Sequence, residues 1–165
     1  MRWPPRLAIS MMACCFCRRG KLSPCCHGWR GSLSASAEGL CRPAGKLLLP
    51  GFVDTHIHYP QTEMIGAFGE QLLEWLTTYT FPVESQFADA DYAQEIAQFF
   101  VNQLISHGTT TALVFCTLHP ASVEALFSEA LRLNMRLIAG KVMMDRHVPD
   151  YLCETAGESY EQTRR

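Results

Sequence analysis

The chain has 165 residues, 48% of them hydrophobic and 18% charged, with a formal net charge of −2. That is enough apolar material for one packed domain or a piece of a larger one, and it excludes disorder by composition for most of the chain. Seven Lys and Arg face one acid in residues 1–45 but fifteen acids in residues 46–165, so the acidic body excludes a uniformly basic nucleic-acid binder. No run approaches the roughly 20 apolar residues of a membrane span.

Residues 1–45 read as a separate basic segment that holds six of the eight cysteines. Arg2 and Arg6 precede an apolar stretch from Leu7 to Cys17, which Arg18, Arg19 and Lys21 close. This is the outline of a weak signal peptide, diluted by Ser10 and the cysteines and followed by no small-x-small cleavage site. Cys14 and Cys17 form C-x-x-C, with Cys25, Cys26 and His27 close behind, enough for a small zinc knuckle or a redox module. Little apolar periodicity accompanies them, and the Ser, Gly and Pro content from Gly28 to Gly45 suits an irregular, disordered segment.

At Lys46 the text changes. Lys46 to Leu49 is a short extended run stopped by Pro50-Gly51. Phe52 to His58 then alternates as a strand, with Val53, Thr55 and Ile57 on one face and Phe52, Asp54, His56 and His58 on the other. Glu70 to Tyr79 fits a short helix with Leu72, Leu73, Trp75 and Leu76 as its apolar side. Asp91 to His107 fits a longer one, capped by Asp91, striped by Tyr92, Ile96, Phe99, Phe100 and Leu104, and stopped by Gly108. Thr109 to Thr117 reads as a buried strand and Pro120 to Asn134 as a helix opened by its proline. Met135 to Met144 is a third buried strand, followed by the polar turn Asp145-Arg146-His147 and a helix between Glu154 and Arg165. Strands alternating with helices predict an α/β fold with a parallel sheet. Either a small open sheet or the first units of a (β/α)8 barrel fits, and a whole barrel typically takes about 250 residues.

The chemistry concentrates on Asp54-Thr55-His56-Ile57-His58. Histidines two apart on a strand point the same way, roughly 6–7 Å apart at the backbone, so both imidazoles can converge on one ion. Asp54, His56 and His58 on one side of a buried strand need a metal or a polar site to satisfy them, and neutral imidazoles suit zinc. A lone H-x-H triplet is otherwise explained by solvated or core histidines. Its place at the end of the first strand of a βα series is where parallel folds put their chemistry. H-E-x-x-H, G-x-S-x-G, and the H-x-E with P-C-x-x-C of base-flipping deaminases do not occur. Glu70 and Glu74 read as a solvated helix face, and Cys116 as a buried, inert thiol.

The run from Pro50 to His58 resembles the first-strand signature of the amidohydrolase superfamily. More narrowly, His58-Tyr59-Pro60-Gln61, Leu72-Leu73-Glu74-Trp75-Leu76, Tyr79-Thr80-Phe81-Pro82, Gly108-Thr109-Thr110-Thr111-Ala112 and Gly140-Lys141-Val142-Met143-Met144-Asp145 resemble the guanine deaminase family. The resemblance runs from about Lys46 to the last residue. It implies a partial (β/α)8 TIM-type barrel of about three βα units over residues 46–165, preceded by the Cys-rich segment 1–45. It places His56 and His58 as the first two Zn2+ ligands and Gln61 as a residue that hydrogen-bonds the purine. The implied reaction is hydrolysis of guanine to xanthine and ammonia in purine catabolism, by a cytoplasmic protein that forms homodimers.

The family's other metal ligands, a third histidine, a later histidine and an aspartate, fall beyond Arg165, and so does its proton-shuttling glutamate. His119, Asp145 and His147 lie just past strand ends and are candidates for one further ligand, while His107 reads as a helix C-terminal residue. A truncated chain weakly active or inactive alone is therefore expected. The alternatives are a non-catalytic barrel fragment that binds metal weakly or associates with full-length subunits, and a metal or redox function of the N-terminal cysteines.

Overall fold

The computed structural model describes residues 49–69 and 71–164, together with the backbone of Cys15–Arg18 and Lys21–Pro24. Those two backbone segments are strands β1 (Cys15–Arg18) and β2 (Lys21–Pro24), paired antiparallel with Cys15 opposite Pro24 and Arg18 opposite Lys21. This hairpin lies inside the segment read as irregular. Cys14, Cys25, Cys26 and His27, residues 28–45, the run 46–48 and Glu70 lie outside the described residues.

The body begins with β3 (Phe52–His58), which has the bounds its alternation predicts, and runs directly into a 3-10 helix, Tyr59–Met64. A helical ramp follows: α1 (Leu72–Trp75), a π-helical turn (Leu76–Thr80), α2 (Phe81–Ser85) and a 3-10 turn (Gln86–Ala88). The helix expected to stop at Tyr79 therefore continues through Pro82. The π turn makes this possible: Phe81 N–H donates to Leu76 O, five residues back, and this wider turn lets the chain enter Pro82, which has no N–H to place.

α3 (Ala90–Ser106) is capped by Asp89 rather than by Asp91. The Asp89 carboxylate accepts from Asp91 N at 2.8 Å and Tyr92 N at 3.3 Å, leaving Asp91 in the first turn, where an acid complements the helix dipole. The buried stripe is Ala93, Ile96, Ala97, Phe100, Val101 and Leu104, and Phe99 points outward. Two alanines on that stripe bring the helix close to the sheet. β4 (Thr109–Phe115), α4 (Pro120–Leu133) and β5 (Arg136–Gly140) follow. Asn134 ends α4 in the left-handed region at φ 54°, a conformation asparagine tolerates, and its N–H bonds back to the last turn. After a 3-10 turn (Asp150–Leu152), α5 (Ala156–Thr163) starts with a capping box in which Thr155 and Glu158 satisfy each other's backbone N–H groups.

β3, β4 and β5 form one parallel sheet in sequence order, with a helix at each crossover. α3 and α4 pack together, and the core lies between them and the sheet: Ala112 and Val114 from β4, then Phe100, Val101, Ala125 and Leu126, with Tyr59 and Phe87 at one end. The apolar runs of β4 and β5 predict burial on both faces, but only one face is covered. Ala112, Val114, Leu137 and Ala139 turn toward the helices, whereas Leu113 and Ile138 are exposed on the opposite face. The sheet is thus two-faced, and the open face carries the residues of interest.

Candidate metal centre and adjoining cleft

β3 is held from its first residue. Phe52 N–H donates to Gly108 O at 2.8 Å, and Gly51 sits against Thr110 so closely that an added Cβ would meet its Oγ1 at 2.0 Å. Between Asp54 and Ile57 the register with β4 shifts, since Asp54 is opposite Ala112 but Ile57 is opposite Val114. One extra residue of β3 is accommodated there, a bulge of the sort that re-aims side chains. Asp54 stabilises it by accepting a 3.0 Å hydrogen bond from His56 N. Its carboxylate is therefore engaged with the strand's own backbone instead of joining the two histidines.

From the bulge onward, Ile57 packs against the core, and His56 and His58 emerge on the open face, where both rings meet Phe115. Their Nε2 atoms lie 3.2 Å apart. Both rings rest against Phe115, the last residue of β4 and the register partner of His58, each with its centroid 4.9 Å from the phenyl centroid. Burial first, and then the neighbouring His56, holds His58 below the ordinary imidazole pKa. Near neutral pH this ring is consequently uncharged, as a metal ligand requires.

The 3.2 Å separation tests the fit to a metal. Two nitrogens about 2.0–2.1 Å from a tetrahedral zinc define an edge of roughly 3.3–3.4 Å, so this pair suits zinc with little adjustment. Among the described residues no third His, Cys, Asp or Glu joins them in a cluster of three. Asp145 pairs instead with Arg146 at 2.9 Å, His147 is exposed in the left-handed region at φ 57°, and His107 caps the C-terminal end of α3, close to the helix C-terminal place expected for it.

The histidines open onto a cleft of about 510 Å³ between the start of the 3-10 helix and α3, whose wall includes Gln61, Met64, Trp75, Phe100 and Leu104. The structure thus brings together His56, His58 and Gln61. That volume suits a small organic ligand, and the wall is apolar with a few polar groups. Gln61 is placed by its neighbours: Tyr59 and Pro60 are fully buried, and Tyr59 Oη donates to Ala93 O of α3.

A second polar cluster lies beyond the ends of β4 and β5. Lys141 Nζ contacts both carboxylate oxygens of Glu154 at 2.7 Å and donates to Val142 O, while Glu154 also accepts from Met144 N. This pair is nearly buried and closes the loop 142–153 onto the end of the sheet. His119 lies nearby with its Nε2 buried and unpartnered among the described residues. Burial, then the Lys141 charge, lowers its pKa against the opposing pull of Glu154. The sequence singles out His119 but not the Lys141–Glu154 pair, since an ion pair thirteen residues apart leaves no periodic trace. Phe115 was missed too: its contact with the histidines follows only from the register between β3 and β4.

The chain is similar to several known proteins. Escherichia coli guanine deaminase is 64% identical over 120 residues, covering 73% of this chain and 27% of that protein. Its solved structure superposes with a TM-score of 0.68, covering 70% of this chain and 27% of that one. A guanine deaminase from C. acetobutylicum, solved with guanine bound in its active site, gives a TM-score of 0.68 at 38% identity, over 70% of this chain and 28% of its own. The chain thus spans about a quarter of the length of the curated relatives it matches. The model of the amidohydrolase family matches residues 47–165, which takes in every element from β3 onward, and on that ground the chain belongs to the amidohydrolase family.

Proposed function

We propose that residues 46–165 are the first three βα units of a guanine-deaminase-type (β/α)8 barrel, with residues 1–45 as a separate leading segment, and that His56 and His58 hold a zinc ion. The observation that carries this reading is the 3.2 Å approach of the two Nε2 atoms at the mouth of a ligand-sized cleft, in a chain 64% identical over 120 residues to a guanine deaminase. When bound, zinc supplies the Lewis acidity that lowers the pKa of water toward ~7. The chain's own residues then have definite tasks. His56 and His58 donate lone pairs in their neutral forms. Gln61, whose amide both donates and accepts, reads the edge of guanine, and the apolar wall of the cleft excludes bulk water from the purine face. The reaction is hydrolysis of guanine to xanthine and ammonia, a step of purine catabolism, in a cytoplasmic protein that acts as a homodimer. Among the described residues no helix is long and apolar enough to cross a membrane.

One observation favours a second reading, a non-catalytic unit that binds metal weakly or associates with full-length subunits: the described residues group two histidines, and no further ligand, at the site. A single experiment separates the two. The full chain and His56→Ala are dialysed with zinc, assayed for bound metal, and then assayed for ammonia release from guanine. Zinc retained by the first and lost from the second, with ammonia release that follows the metal, establishes the deaminase. Retention without release supports the second reading, and equal zinc in both chains overturns the metal site altogether.

A further inference from the structure

We propose that Phe115 is the positioning residue of the histidine pair, a phenyl platform that holds both imidazoles at metal-binding separation. The inference rests on the zinc reading above and adds a residue to it. A metal-binding histidine is most often fixed through its second ring nitrogen, by a hydrogen bond to a carboxylate or carbonyl. Among the described residues neither His56 nor His58 makes such a bond, and Asp54, the nearest carboxylate in sequence, is turned to the backbone of His56. Both rings instead share one aromatic face. His58 stacks on Phe115 with 15° between the planes and His56 leans on it at 46°.

The platform is itself held firmly. Val114 and Cys116 on either side of it are buried in the core, and Thr117 is fixed by Ser122 of α4, whose hydroxyl accepts from both Thr117 N and Oγ1. Phe115 therefore has little freedom but to lie across the open face. The face of a phenyl ring is electron-rich and attracts electron-poor rings and cations. An imidazole becomes more electron-poor on binding a metal, so the contact strengthens as the site loads. The 3.2 Å nitrogen spacing also suits one N–H···N hydrogen bond, which keeps the two rings together until a metal takes the proton's place.

Cobalt(II), which reports its coordination through visible absorption, tests this on the full chain. Wild type, Phe115→Tyr, Phe115→Met and His56→Ala are titrated, with the ring-proton NMR shifts of the histidines recorded alongside. Phe115→Met keeps the bulk and loses the ring face, so its cobalt affinity is expected to fall on the order of tenfold with an altered absorption band. Its histidine ring protons should lose the upfield shift that the phenyl face imposes. Phe115→Tyr keeps the face and should restore both. Cobalt binding by Phe115→Met equal to wild type overturns the role of Phe115 while leaving the metal site standing. Wild type that binds no better than His56→Ala overturns the metal reading and this proposal with it. Should Phe115→Met fail to fold, Phe115→Tyr carries the test: histidine shifts displaced from wild type with cobalt binding unchanged also overturn it.

Discussion

Glu84 offers the sharpest test of the energetics. It sits in α2 with 5% of its surface exposed, and its Oε2 has no hydrogen-bond partner among the described residues. Burial pushes its carboxyl from the ordinary 4.5 up to about 7. The folded state therefore holds this proton more tightly than the unfolded state. Between pH 4.5 and about 7 the native chain keeps a proton that the unfolded chain has released, so stability falls as pH rises through that window. At about 1.4 kcal/mol per pH unit, the gap between 4.5 and about 7 amounts to on the order of 3 kcal/mol of stability lost by pH 8. Glu84→Gln removes the charge but buries an amide that needs partners of its own, at a cost of roughly 1–3 kcal/mol. The variant should therefore be no more stable than wild type at pH 4.5, yet gain on it by on the order of 3 kcal/mol between there and pH 8. Urea denaturation of both chains across that range measures the difference directly. Two curves that stay parallel would refute the assignment of a buried, neutral carboxyl.

Two further perturbations test the scaffold. Lys141→Met strands Glu154 as a buried charge and should destabilise the chain by about 3–5 kcal/mol in chemical denaturation, with Lys141→Met combined with Glu154→Leu recovering most of the loss. A single variant as stable as wild type would mean the pair is hydrated. Gly51→Ala would place its Cβ 2.7 Å from Thr110 Cβ, the stem of a branched side chain that cannot swing away, so β3 must shift at a cost of about 1–3 kcal/mol, read as a lower Tm. An unchanged Tm would show that the start of β3 is looser than this packing implies.

What could be read in the sequence was whatever repeats or punctuates. The bounds of β3 follow from alternation, and those of α4 from Pro120 at one end and Asn134 at the other. His56 and His58 stood out because two imidazoles on one strand face are costly without a purpose. What escaped depends on contacts far apart in sequence, or on a choice between equal local options. Asp89 and Asp91 are equally good caps by composition, and only the position of the first N–H groups decides for Asp89. Pro82 reads as a stop unless the π turn before it is known. Leu113 and Ile138 look like core because apolar runs carry no mark of which face is covered.

The candidate site has its geometry because exposed polar residues and core anchors are interleaved along the eleven residues from Gly51 to Gln61. Gly51 lets β3 begin tightly against β4, and the bulge closed by Asp54 adjusts the facing of the strand after it. From there the chain alternates, with His56 and His58 on the open face, Ile57 packed against the core and Tyr59 and Pro60 buried, before Gln61 reaches the cleft. Each outward side chain is thus flanked by one fixed in close packing, and a strained or displaced anchor would be felt within a residue or two by a side chain facing the cleft. Local order at the site is therefore set by Ile57 and Tyr59 as much as by the histidines. Tyr59 adds a tether to the second layer, since its hydroxyl donates to Ala93 O at the start of α3 and couples the position of Gln61 to that helix. Strand, 3-10 helix and α3 thus frame the cleft together, with His56, His58 and Gln61 on one continuous stretch of chain.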